Sequence, residues 1–150
     1  MEHFGISVLD IQRSVRWYQD IFGFQVVKEF EKPELQIKGA VMKRGDLSLE
    51  ILQPYSPKEL PAEDSSLVAL LQRIGANHFA ISAEDVKSLY NELKSQKAEL
   101  VTELIEQRFF FCKDPDGTLI EIKQCQQHDG VTVREDRQTS SNTEAKKVSS

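Results

Sequence analysis

Two stretches of this chain are near copies of each other, and a chain built that way is constrained to fold as two versions of one unit. Residues 3–11 read HFGISVLDI and residues 78–86 read HFAISAEDV, so His, Phe, Ile, Ser and Asp recur at a constant offset of 75. A second echo pairs LSLEIL at 47–52 with TLIEIK at 118–123, which aligns Glu50 with Glu121 at an offset of 71. Each copy opens on a histidine and closes on a glutamate, in the order His3, Glu50, His78, Glu121. That order reads as two half-sites of one metal centre.

Local patterning fills in the unit. Alternation predicts a first strand over about 2–8, with Phe4, Ile6 and Val8 on one face and His3, Gly5 and Ser7 on the other. Asp10 is placed to cap a helix over about 12–22, whose apolar stripe is Val15, Trp17, Tyr18, Ile21 and Phe22 and whose stop is Gly23. Strands follow near 24–31, 35–43 and 46–53, separated by Lys32-Pro33 and Arg44-Gly45-Asp46. The unit is β-α-β-β-β. The second copy predicts a strand at 77–83, a helix at about 85–95 capped by Asp85, and strands near 99–105, 107–113 and 118–124. Asp114-Pro115-Asp116-Gly117 is a tight-turn signal, since proline presets the bend and glycine accepts positive φ.

The modules are expected at about 1–54 and 76–124, with a proline-bearing connector at 55–75 whose segment SLVALLQRI is helical. Such a connector is either a lid or a plain covering helix. From Gln126 onward apolar residues nearly vanish, so 125–150 is expected to be a disordered tail. Units of roughly 55–70 residues are marginal alone and gain from packing on each other. A net charge of −5 argues against nonspecific binding to nucleic acid or an anionic membrane. No leader pattern and no membrane-length apolar run is read, and the two cysteines, Cys112 and Cys125, lack metal or disulfide spacing, so the expected address is the cytoplasm.

On the last strands, Ile120 and Ile122 lie opposite Leu119, Glu121 and Lys123, just as Leu47, Leu49 and Ile51 lie opposite Ser48, Glu50 and Leu52. All four polar residues therefore leave the helix-free side of their sheets. Two imidazoles and two carboxylates suit one borderline divalent ion, Ni, Co, Zn or Mn, and four protein ligands leave open positions for substrate oxygens. Taken singly, His3 is an ordinary surface residue, His78 a hydrogen-bonded core histidine, and Glu50 or Glu121 an outward residue on a half-solvated sheet. The repetition favours the metal, because independent solvated faces need not place His and Glu equivalently. His128 reads as inert, Cys112 as a packed thiol, and Phe109, Phe110 and Phe111 as core and cavity wall.

With these residues laid out, the chain resembles the vicinal oxygen chelate superfamily, the glyoxalase/bleomycin-resistance/dioxygenase group, over about 2–124. The telling segments are HFGISVLDIQRSVRWYQDIFGFQVV, LSLEILQP, HFAISAEDVKSLYNEL and FFFCKDPDGTLIEIKQ. The resemblance implies an α+β fold, two βαβββ modules whose curved mixed sheets enclose a metal-binding cup. It puts the metal ligands of the glyoxalase I branch on His3, Glu50, His78 and Glu121. It implies that a bound α-oxo substrate forms an enediolate when Glu121, supported by Glu50, removes the adjacent carbon-bound proton. It also implies a homodimer, with the cup closed within one chain or across two.

The resemblance does not fix the substrate. Ser7 and Pro54 stand where glutathione-dependent members carry an arginine and an asparagine, and the basic loop looks shortened at 103–107. Lys38, Arg73, Lys113 and Lys123 are the cations available for an anionic substrate, Arg73 and Lys123 being better placed. The leading reading is a glyoxalase I-like lyase or isomerase acting on a thiohemiacetal-type compound, with no organic cofactor. The alternatives are an epimerase of the methylmalonyl-CoA type and a non-catalytic drug-binding protein. A complete ligand set disfavours the last, and a second carboxylate disfavours the two-His, one-carboxylate branches such as dioxygenases.

Overall fold

Caps and alternation set the elements. In the computed structural model, which describes residues 3–58, 66–72 and 74–125, the first module runs β1 (Phe4–Ser7), α1 (Ile11–Phe22), β2 (Gln25–Lys32), a 3-10 turn at Pro33–Leu35, β3 (Ile37–Arg44) and β4 (Leu47–Pro54). A connector helix α2 (Leu67–Leu71) leads to β5 (Phe79–Ala83), α3 (Val86–Ser95), β6 (Phe109–Lys113) and β7 (Leu119–Gln124). Asp10 starts α1 by accepting from the Arg13 amide at 3.0 Å, and Asp85 starts α3 by accepting from the Ser88 amide at 2.9 Å. The Ser88 bonds hold the Asp85 carboxyl below its usual range. Gly23 ends α1 in the left-handed region, at φ 71°.

The two sheets are mixed and share one plan. Their orders are β1-β4-β3-β2 and β5-β7-β6. In both, the first strand lies parallel to the last, and the residue two after the histidine faces the glutamate: Gly5 pairs with Glu50 and Ala80 with Glu121. Helices α1 and α3 cover the other face. Tyr18, Met42 and Ile51 of the first module join Leu93, Phe110 and Ile122 of the second in one buried cluster. Phe4 meets Phe79 across the seam, ring centroids 4.7 Å apart. Burying each such side chain contributes roughly 1.5–3 kcal/mol, so neither module has a separate core to keep if the seam opens.

One expected strand does not form. The segment 99–105 makes only isolated bridges, Leu100 with Cys112 and Ile105 with Phe109. The amides of Val101 and Thr102 both turn to the Phe111 carbonyl, at 2.9 and 3.3 Å, and the Thr102 hydroxyl takes the Phe111 amide at 3.0 Å. A side chain has replaced a ladder carbonyl, so pairing cannot propagate. The second module is accordingly a three-stranded version of the first. The expected tail beyond Cys125 lies outside the described residues. Among the described residues, no helix is long and apolar enough to cross a membrane.

The turn Asp114-Pro115-Asp116-Gly117 does more than reverse the chain. Gly117 closes it at φ 88°, donating to the Asp114 carbonyl at 3.0 Å. Asp114, 3% exposed, accepts from the amides of Asp116 and Thr118 and from the Tyr18 hydroxyl at 2.9 Å. Asp116 accepts from the Leu9 amide, the Ser14 hydroxyl and Arg13 Nη2, the last at 2.7 Å. One turn of the second module thereby grips the first helix of the other. Burial drives both the Asp114 carboxyl and the Tyr18 phenol above their ordinary values.

Candidate metal centre

Strand alternation puts His3 and Glu50 on the helix-free face of the first sheet, and the parallel register brings them together. Their nearest atoms, Nε2 and Oε2, lie 3.7 Å apart. His78 and Glu121 repeat the arrangement with the same two atoms, 3.6 Å apart. Gly5 and Ala80, the small residues opposite the glutamates, keep the face open: a Cβ at Gly5 would stand 3.9 Å from Glu50 Oε2. Both spacings exceed a hydrogen bond. Two ligand atoms at 2.0–2.2 Å from one ion stand roughly 3.0–3.5 Å apart, and both pairs fall close to that separation.

Within one chain the four residues form two pairs, not one cluster. Among the described residues no three of the His, Cys, Asp and Glu side chains lie close enough to share an ion. His3 and His78 nonetheless border one cavity of about 500 Å³ at the seam, walled by Phe4, Phe24, Leu49 and Phe79.

Residues 1–122 match the Glyoxalase/Bleomycin resistance protein/Dioxygenase superfamily. The chain belongs to this superfamily. It is 25% identical over 134 residues to human mitochondrial methylmalonyl-CoA epimerase, covering 83% of this chain and 73% of that protein. It is 27% identical over 132 residues to the uncharacterised protein YwbC of Bacillus subtilis, covering 83% of this chain and 96% of that one. Among solved structures, the trypanothione-dependent glyoxalase I of Leishmania major superposes with a TM-score of 0.69 at 25% identity, covering 83% of this chain and 85% of that chain. The protein is thus a superfamily enzyme related to glyoxalase I and to methylmalonyl-CoA epimerase, of lyase or isomerase type.

The surroundings of the two pairs are unevenly built. In the second module Glu121 lines a cavity of about 550 Å³ with Ser82, Arg108, Phe109 and Lys123. Lys123 Nζ lies 4.0 Å from Glu121 Oε1, so among the described residues it is the expected cation that stands beside a candidate site carboxylate. Lys113 is paired with Glu99 at 2.7 Å, Lys38 borders a separate cavity with Ile11, Gln12 and Glu31, and Arg73 lies outside the described residues. Ser7 and Pro54 share a further cavity of about 500 Å³ with Lys58 and Pro115. Phe110 is core, while Phe111 stands 5.4 Å edge-on to His78 and walls the site. Cys112 is fully buried, its thiol pushed up to about 12 by desolvation, and takes no part. His128 lies outside the described residues.

Three residues here carry no sequence signal. Arg108 reaches the Glu121 cavity from the turn before β6. Phe30, on the edge strand, lies over Gly39, where any Cβ would overlap its ring. Asn77 accepts from or donates to both of its neighbours in space, the His78 ring and the connector helix. Repetition could not reveal them, because each acts across elements that differ between the two copies.

Proposed function

We propose that this protein is a metal-dependent glyoxalase I-like lyase or isomerase that removes a proton from the carbon beside a substrate carbonyl. The observation that carries the reading is the duplicated pair: the same two atoms, at the same spacing, in the same strand register, on the same face of both modules. His3, Glu50, His78 and Glu121 are the four ligands. Because one chain offers them as two pairs, the cup closes across a two-fold homodimer. The His3–Glu50 pair of one subunit then faces the His78–Glu121 pair of the other, and symmetry yields two equal sites.

A divalent ion held there supplies Lewis-acid polarisation of the substrate carbonyl. Glu121 takes the α-proton and returns it to the adjacent carbon, while the thiohemiacetal hydroxyl proton passes to the former ketone oxygen, so the ketone-side carbon becomes the carbinol and the thiohemiacetal carbon the thioester carbonyl. Glu50, facing it from the other subunit, holds the second carboxylate position and leaves Glu121 free to move the proton. Phe111 and Phe109 restrict water on one side. Lys123 and Arg108 give the Glu121 side a cationic rim for an acidic group. An epimerase acting on an acyl thioester uses the same proton abstraction, and the human methylmalonyl-CoA epimerase likeness favours it as the second reading.

Subunit complementation tests the proposal. A chain carrying His3→Ala and Glu50→Ala is mixed, after reversible dissociation, with a chain carrying His78→Ala and Glu121→Ala. Each parent is inactive, and the mixed dimer regains one intact site. No recovery in a verified heterodimer would refute the shared site. Methylglyoxal offered with several thiols, beside an acyl-CoA epimerisation assay, then separates the two chemistries by their thiol dependence.

A further inference from the structure

The connector helix and the second-module histidine are joined through one side chain. Asn77 Nδ2 donates to the Leu70 carbonyl of α2, and Asn77 Oδ1 lies 2.9 Å from His78 Nδ1. These contacts fix the proton positions. A backbone carbonyl can only accept, so the amide NH2 must face Leu70 and its oxygen must face the ring. That oxygen also only accepts, so Nδ1 of the neutral imidazole carries the hydrogen. Nε2 is left with a lone pair, and Glu121 Oε2 lies 3.6 Å from it. Two acceptors thus look into one space, an arrangement that a cation relieves.

The helix is seated on the same face by a second contact. Leu70 is buried against Phe111 and Leu119, and Phe111 is the ring that meets His78 edge-on at 5.4 Å. Leu70 therefore reaches His78 by an apolar route through Phe111 and by a polar route through Asn77. We propose that Asn77 is the positioning residue of this half-site: it selects Nε2 of His78 as the ligand atom and ties that choice to the seating of the connector helix. The first expectation for this connector, lid or plain cover, is sharpened into a cover whose departure releases the histidine. This rests on the reading of His78 as a metal ligand, and outer-sphere acceptors of this kind are worth roughly tenfold to hundredfold in metal affinity.

The test compares Asn77→Ala with Asn77→Asp in full-length protein. Nitrogen-15 correlation spectra of metal-free protein report the His78 tautomer, hydrogen exchange at Leu70 and Gln72 reports the helix, and titration with Zn²⁺ or Ni²⁺ reports affinity. Wild type is expected to show the Nδ1–H form. Asn77→Ala should lose that form, exchange faster at α2, and bind metal roughly tenfold to hundredfold more weakly. Asn77→Asp keeps the acceptor but loses the amide donor, so it should retain the tautomer and near-normal affinity while α2 exchanges faster. An unchanged tautomer in Asn77→Ala, with metal still bound by wild type, overturns the assignment of Asn77. Wild type that takes up no divalent ion, yet shifts its tautomer in Asn77→Ala, overturns the metal reading instead and upholds the contact. Should Asn77→Ala fail to fold, Asn77→Asp decides the link to the helix: faster exchange at α2 upholds it, and exchange equal to wild type overturns it.

Discussion

In the first module His3 stands just before β1 with 52% of its side chain exposed, whereas His78 is 30% exposed, edge-on to Phe111 and bonded through Asn77 to the connector helix. The carboxylates follow suit, Glu50 at 28% and Glu121 at 17%. The first sheet has four strands and the second three, with the Thr102 hydroxyl standing in for a ladder carbonyl. The two modules share the His–Glu pair, its register and the two aspartate caps, while the surroundings differ. One half-site is held mainly by its strand; the other is held by a strand, a helix and an aromatic wall. The difference teaches that pairing atoms is a property of the sheet and orienting them is a property of what packs on it.

The largest expected effect comes from the proposed ligands. His3→Ala and His78→Ala should each weaken divalent-ion binding on the order of a hundredfold or more, beyond what loss of an outer-sphere partner causes. Added imidazole should restore binding better in His3→Ala, where the vacated space is open to solvent. Equal rescue, measured by equilibrium dialysis, would erase the distinction between the halves.

The link between modules comes next. Tyr18→Phe removes a donor from buried Asp114 and should cost about 1–3 kcal/mol in urea unfolding at neutral pH. Asp114 has a raised folded-state pKa, so between the ordinary aspartate value and the raised one the folded state binds more protons than the unfolded state. Stability from this group is therefore fully present below the ordinary value and declines as pH rises through the raised one. The Tyr18→Phe penalty should accordingly shrink at about pH 4, near the ordinary aspartate value, and Asp114→Asn should flatten the slope. A penalty independent of pH would remove Asp114 from the account.

A smaller effect is expected on the sheet face. Gly39→Ala must displace Phe30 and should cost about 1–2 kcal/mol, with no parallel in the second module. Smallest of all is Gly5→Ala, which makes the first half-site resemble the second at Ala80. It should leave stability within about 0.5 kcal/mol, because no heavy atom stands closer than 3.9 Å to the new methyl. A large loss of stability or metal binding there would mean that the halves are not interchangeable even at the register position they share.

Much of this is legible in the sequence. Both aspartate caps, the Gly23 stop and the faces of β1, β4, β5 and β7 followed from spacing and alternation, since those depend on backbone periodicity alone. The strand at 99–105 did not form, because Thr102 competes for a ladder hydrogen bond and composition does not report which partner wins. The turn at 114–117 was legible as a turn but not as a grip on α1, since only the docked modules bring Tyr18 and Arg13 within reach of it.

By itself the sequence determined the repeat, and with it the identity and order of His3, Glu50, His78 and Glu121, because each matched segment places its histidine or glutamate at the corresponding point of a corresponding strand. Tertiary structure alone decided that these four meet two by two within a chain. It also decided which nitrogen of His78 is free, since that follows from a helix and an amide at fixed distances from the ring. Periodicity fixes which way a side chain points; only packing fixes what it meets there.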